Sequence, residues 1–206
     1  MLKNLFVSEV RIKILNLLLL NPEQEIHVRA IVRAVDAEIN AVRRELNNLV
    51  DINLLTKRQS SNKIFYRANT QSPIYSEIVS LLSKEQGISK EIIENKSKLG
   101  NIEYAMVSID FLKGRKSSKL DVDLFIVGDV NFEAISRIVK EYEKILDKEI
   151  NYTTMTSKEF MFRKKKNDTF IFRVLSQGRS MLIGDEQSFY TTVWCFFYFK
   201  IEFLLW

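Results

Sequence analysis

The sequence predicts an α+β chain made of two small domains, the first helical with a basic β-hairpin and the second a small α/β layer. Three observations predict it. Apolar residues recur at helical spacing from residue 10 to residue 50, and a basic, β-rich stretch then runs from 56 to 67. Beyond residue 100, β-forming runs (YAMVSI, LDVDLFIV) are followed by an amphipathic pattern over 131–146. At 206 residues the chain is long enough for two compact units.

Composition narrows the function classes. A hydrophobic content of 46% with 28% charged residues fits a folded chain with a sizeable core, and two prolines with six glycines argue against a linker-dominated one. One cysteine, Cys195, excludes an intramolecular disulfide framework and a cysteine-rich zinc site. The single histidine, His27, speaks against a histidine metal centre and a Ser-His-Asp triad. A net charge of +5 is compatible with polyanion binding. The apolar run ILNLLLL is preceded by Arg11 and Lys13 and followed by no cleavage-site pattern, so the expected compartment is the cytoplasm.

In chain order, Ser8 caps a predicted helix over 8–20 with Val10, Ile14, Leu17 and Leu18 inward, stopped by Asn21-Pro22. An acidic spacer with Glu23 and Glu25 precedes a second helix over 27–35, in which Val28, Ile31, Val32 and Val35 face the core and His27 is a helix-start residue. After a turn at Asp36-Ala37, a third helix carries the stripe Val42, Leu46, Leu49 and Val50. Its other side presents Asn40, Arg43, Arg44 and Asn47, suited to base edges or phosphates in a major groove. The hairpin that follows carries Lys57, Arg58, Lys63 and Arg67, placed for phosphate or minor-groove contacts, with a polar tip at residues 59–62. Three helices and a basic wing over residues 1–72 are the layout of a winged helix-turn-helix DNA reader. The competing reading is that these charges are only the solvated side of an amphipathic helix.

The runs RIKILNLLLLNPEQEIHVRAIVRAV, NAVRRELNNLVDINLL and NKIFYRAN resemble the ArsR-like winged-helix regulators, in particular the group fused to a nucleotidyltransferase-like domain. The resemblance covers residues 5–70 and implies a transcriptional regulator of double-stranded DNA. Such sequences often carry glycine near Asp36 and Asn53; Asp and Asn tolerate the left-handed conformation required there. Residues 73–98 read as a helical connector with Ile74, Ile78, Leu81 and Leu82 on one side and a break near Gly87 and Ser89. A helix in this place often forms the two-fold contact of dimeric regulators, so a homodimer is expected.

The second domain spans 99–187. Its predicted elements are a strand over 104–109, a basic loop over 113–119, a strand over 120–127, a helix over 131–146, a strand over 149–155 and helices opened by Thr156 and Asp168. Phe132, Ile135, Ile138, Val139, Tyr142 and Ile145 are the predicted inward side of the 131–146 helix, and Thr156 with Glu159 has capping-box spacing. On a strand, Asp121 and Asp123 would share one face, and two carboxylates at a strand end are a common way to hold Mg²⁺ against nucleotide phosphates. Spacing alone favours the plainer reading, an acidic strand end that is solvated or paired with Lys113, Arg115 or Lys119.

FLKGRKSSKLDVDLFIVGD, EINYTTMTSKEF and RSMLIGDE resemble the minimal nucleotidyltransferases over residues 102–186. The resemblance implies Asp121 and Asp123 as metal ligands, with Mg²⁺ the cofactor, and Gly114 and Lys113 in a nucleotide-binding loop under the phosphates. The family's Gly-Ser pair aligns with Ile109-Asp110, or with Val107-Ser108, and Asn151 stands where a third carboxylate belongs, with Glu149 the nearby substitute. The expectation is a regulator whose second domain is degenerate, weak or inactive in transfer, with no catalytic residue assigned. The alternative is a Mg²⁺-dependent nucleotidyltransferase that its winged-helix domain directs to a protein or nucleic-acid acceptor. A toxin–antitoxin component is a third reading, resting on the second family alone. The run 163–166 (RKKK) is either an extension of the DNA footprint or a solvated face. The aromatic tail over 188–206 contains Lys200 and Glu202 and is a little short for a membrane helix, so no membrane is expected. A buried strand, a dimer-forming element and an aberrant terminus remain open for it.

Overall fold

Helix α1 (Glu9–Leu19) starts where Ser8 Oγ accepts the Arg11 N–H at 3.2 Å and buries Ile14, Leu15, Leu18 and Leu19. The computed structural model describes residues 2, 6–115, 118 and 121–191. After α1, a two-residue strand β1 (Ile26–His27) runs directly into α2 (Val28–Val35), whose first turn is capped by His27 Nδ1 accepting the Ala30 N–H. Asp36 takes the left-handed conformation at φ 49° and turns the chain into α3 (Ile39–Asp51), and Asn53 does the same at φ 58° after it. The hairpin is β2 (Leu55–Ser60) and β3 (Lys63–Ala68), paired in register from Leu55 opposite Ala68 to Ser60 opposite Lys63. β1 joins the other edge of β3, with Ile26 opposite Tyr66 and His27 opposite Phe65, so the sheet order is β1-β3-β2.

These elements close over one core in which Ile14, Leu18, Ile31, Val42 and Leu46 have no exposed surface. Each such side chain contributes about 1.5–3 kcal/mol relative to exposure. Helix α4 (Tyr75–Ser83) seals it through Tyr75, whose hydroxyl donates to the Leu19 carbonyl at 2.7 Å and satisfies one of the orphan acceptors at the end of α1. The chain divides into two compact units, Met1–Gln86 with Ile109–Arg115, and Gly87–Ser108 with Lys116–Trp206. The division falls at Gly87 (φ 63°), inside the stretch read from sequence as one connector.

The second unit begins with α5 (Gly87–Glu94) and a 3₁₀ turn (Lys96–Lys98). Its sheet is β4 (Gly100–Ser108), β5 (Leu124–Val130), β6 (Tyr152–Met155) and β7 (Arg179–Ile183) in the order β6-β5-β4-β7. β4 is antiparallel to β5 and β7, whereas β5 and β6 are parallel and joined through α7 (Phe132–Leu146). Between β4 and β5 the short helix α6 (Ile109–Leu112) counts with the first unit. Helices α8 (Ser157–Lys165), α9 (Thr169–Ser176) and α10 (Glu186–Tyr190) complete the unit, and Phe125, Phe160, Ile171 and Phe189 form the heart of its core. Thr156 caps α8 by accepting the Glu159 N–H, one half of the capping box the spacing predicts, while the Glu159 side chain pairs with Arg163. The protein is thus a mixed α+β chain with two small sheets.

Three expectations need correction. β5 begins at Leu124, so Asp121 and Asp123 precede the strand and do not share a strand face. The cause is where the backbone bonds go: the N–H groups of Asp123 and Leu124 both donate to the Asn151 carbonyl, and that of Asp121 donates back to Ser118 in a turn. β6 begins at Tyr152, leaving Glu149 and Asn151 ahead of it. On α7 only Ile135 and Val139 are buried; Phe132 is 57% and Ile145 65% exposed, and Phe132 stacks on the Tyr152 ring instead. Lys116, Ser117, Lys119 and Leu120, and the tail from 192 to 206 with Cys195, Lys200 and Glu202, lie outside the described residues. Among the described residues no helix is long and apolar enough to cross a membrane.

Candidate nucleic-acid interface

Helix α3 buries Val42, Leu46 and Leu49, so the 3.6-residue period puts Asn40, Arg43, Arg44 and Asn47 on its exposed side. Its N-terminus is capped by Glu38, whose Oε2 accepts the N–H groups of Asn40 at 2.6 Å and Ala41 at 3.0 Å. One polar side chain faces inward: Glu45 is 5% exposed and accepts the Arg11 Nε–H at 2.7 Å, tying α3 to α1. Burial alone would push the Glu45 carboxyl up, but hydrogen bonds from Arg11, Ser8 and Asn48 and the Arg11 charge hold it below its ordinary value.

All four hairpin cations are exposed, yet they fall into two kinds. Arg58 donates twice to Glu25, at 2.8 and 2.5 Å, and each charge favours the other: Arg58 lowers the Glu25 carboxyl while Glu25 raises the guanidinium. Arg58 also lies over the Phe65 ring, which meets the His27 imidazole edge-on. Arg67 donates to the Pro22 carbonyl at 2.9 Å and to Glu23 at 3.0 Å. The acidic spacer therefore holds the base of the hairpin. Lys57 and Lys63 make no ion pair among the described residues, and neither do Arg43 and Arg44.

Between α3, the start of α2 and the hairpin lies a recess of about 400 Å³. Arg29, Arg43 and Lys63 line it together with Asn47, Asn62 and Tyr66, and no carboxylate does. Three of the sequence-chosen residues thus meet there. Arg29 and Tyr66 were missed: Arg29 has a local signal, a cation on the exposed side of the second helix, whereas Tyr66 reads only as a β-former. Burial raises the Tyr66 phenol above its ordinary value, and the Arg43 charge draws it partly back.

In the second unit a recess of about 410 Å³ is lined by Asp121, Asn151, Tyr152, Phe170 and Arg173. Asp121 is exposed and its Oδ2 accepts the Ser118 N–H at 2.7 Å. Asp123 is 1% exposed and its Oδ2 accepts the Asn151 N–H at 2.9 Å. The Asn151 amide donates to the Ser118 carbonyl, so that side chain braces the turn. Among the described residues no group of three or more His, Cys, Asp or Glu side chains is placed to hold a metal ion. An ion that demands near-octahedral oxygen coordination is poorly matched by one exposed carboxylate and one buried carboxylate already accepting a backbone bond. Lys113 and Gly114 count with the first unit, where the Lys113 ammonium lies over the Tyr75 ring at 5.1 Å, so the predicted nucleotide-binding set is divided between the two units.

No family model, no curated protein and no solved structure matches this chain.

Proposed function

We propose that the protein is a DNA-binding transcriptional regulator of the winged helix-turn-helix kind, reading double-stranded DNA with α3 and the β2–β3 hairpin. The observation that carries this reading is the convergence of Arg29, Arg43, Lys63 and Asn47 on one carboxylate-free recess between helix and hairpin. In this reading Arg43, Arg44, Asn40 and Asn47 face the major groove, and Lys57 and Lys63 neutralise phosphates. Arg58 and Arg67, held by Glu25 and Glu23, fix the angle of the wing. The protein acts as a homodimer in the cytoplasm, two recognition helices meeting half-sites about one helical turn apart. The test is selection from a pool of random duplexes by the full chain and by Arg43→Ala/Arg44→Ala. Wild type enriches a sequence while the folded double variant enriches none. Equal enrichment by both would remove α3 as the reading helix.

The second unit, in the same proposal, is a nucleotidyltransferase-like domain that has lost or weakened transfer, its third carboxylate position occupied by Asn151. A second reading, nucleotide transfer supported by Mg²⁺, is favoured by the recess in which Asp121 and Arg173 sit with two aromatic rings. Calorimetric titration with each nucleoside triphosphate, with Mg²⁺ and again with EDTA, separates the two. Metal-dependent heat that disappears in Asp123→Asn would favour transfer; its absence supports the degenerate domain.

A further inference from the structure

We propose that the Tyr66 hydroxyl is a phosphate ligand of the DNA interface, donating into the recess between α3 and the hairpin while Arg29, Arg43 and Lys63 supply the charge around it. The inference rests on the DNA-binding reading and adds to it a residue and a subsite.

Two phenols of the first unit are buried, and they differ. Tyr75 is 1% exposed and its hydroxyl is satisfied by the Leu19 carbonyl. Tyr66 is 4% exposed as a residue and lines the recess; its hydroxyl has no protein partner among the described residues, yet it is not one of the fully buried unpartnered atoms, which are the Ser72 and Ser89 hydroxyls. A hydroxyl on the wall of an open recess that no protein group accepts is free to donate to a ligand entering there. The Arg43 guanidinium acts on the phenol and lines the same space. Burial raises the phenol above its ordinary value, so the hydroxyl keeps its proton and acts as a donor.

What arrives is set by the lining. Three cations, two amide side chains and a hydroxyl, with no acid among them, suit an anion rich in acceptor oxygens. Arg43 and Asn47 stand four residues apart on the exposed side of α3, and Asn62 and Lys63 come from the hairpin tip, so the recess lies within the proposed interface. The ligand is therefore a backbone phosphodiester of the bound duplex, and tyrosine hydroxyls are among the groups that position proteins on phosphates. The start of α2 adds no free N–H at Ala30, because His27 already accepts it; the charge comes from side chains.

Phosphate contacts are independent of sequence, so a labelled mixed-sequence duplex serves as probe, titrated with the full chain across about 50–200 mM salt. Tyr66→Phe weakens binding about tenfold at every salt concentration, the loss of one hydrogen bond to a charged acceptor, and leaves the salt slope unchanged. Arg29→Ala and Lys63→Ala each reduce the slope by about 0.9, one phosphate neutralised per cation. Lys140→Ala, an exposed cation of the second unit, leaves it unaltered. Tyr66→Phe melts no lower than wild type, because removing an unpartnered hydroxyl costs the fold nothing. If Arg43→Ala weakens binding and Tyr66→Phe does not, the subsite is refuted while the DNA reading stands. If wild type binds no duplex at low salt, both fall. Inorganic phosphate displaces the duplex no better than chloride at equal ionic strength if the seat is made for DNA; a Tyr66-dependent excess would assign it to a free anion and overturn the proposal.

Discussion

Glutamate 45 is the one acid on the buried side of α3, and replacing it tests how that helix is held. Glu45→Gln keeps the shape and an acceptor oxygen but removes the charge facing Arg11 Nε at 2.7 Å. Hydrogen bonds to a charged group contribute about 1.5–3 kcal/mol and neutral ones about 0.5–1.5, so the substitution costs about 1–1.5 kcal/mol. Full loss of a buried pair would cost more, but Arg11 is one-third exposed and water compensates part of the change. For a unit of this size that is a fall of about 4–8 °C in Tm. The folded carboxyl lies below its ordinary 4.5, so its stabilisation is complete above that pH and disappears as the pH falls through the folded value. The gap between wild type and variant must therefore be full at neutrality and close on acidification. Thermal unfolding across that range, with hydrogen exchange of α1 and α3 at neutral pH, reads both effects. A variant that melts with wild type at neutral pH, or a gap that persists undiminished in acid, would refute the placement of a charged Glu45 between α1 and α3.

Other consequences follow from groups already described. Tyr75→Phe leaves the Leu19 carbonyl buried without its donor and should destabilise the first unit by about 1 kcal/mol in denaturant titration. Lys164 is buried with its ammonium donating to the Phe189 carbonyl, and burial lowers its pKa below the ordinary 10.5. The unfolded chain then binds more protons than the folded one, so stability rises with pH until 10.5 is passed; Lys164→Met should abolish that rise in alkaline unfolding experiments. On the proposed reading of the second unit as a degenerate nucleotidyltransferase-like domain, Asn151→Asp, which places a carboxylate beside Asp123, should raise Mg²⁺ affinity measured by calorimetry; equal Mg²⁺ binding by wild type and variant would contradict that reading.

The first unit was largely legible because its signals are local. Ser8, the apolar stripes of three helices, Asp36 and Asn53 each act within a turn of their own position, and the structure uses them accordingly. Strand β1 was not legible: two residues have no periodicity, and Ile26 and His27 become a strand only by pairing with Tyr66 and Phe65. The ion pairs of Glu25 with Arg58 and Glu23 with Arg67 join residues 33 and 44 positions apart, so the spacer gave no hint of its role. In the second unit the alternation LDVDLFIV misled at its first half, because a backbone bond to Asn151 takes the place of a ladder bond. Phe132 and Ile145 keep helical spacing on α7 yet lie exposed, and only Ile135 and Val139 of that helix are buried. Strand β7 lies opposite β4 across more than seventy residues of chain, a pairing that its five residues could not announce.

DNA recognition by α3 and the hairpin is tested most directly by titrating the full chain, near physiological salt, with the duplex selected from the random pool and with a scrambled duplex of equal length. A sequence-reading protein binds the selected duplex at least about 10³-fold more tightly. Equal affinity for the two duplexes would contradict it.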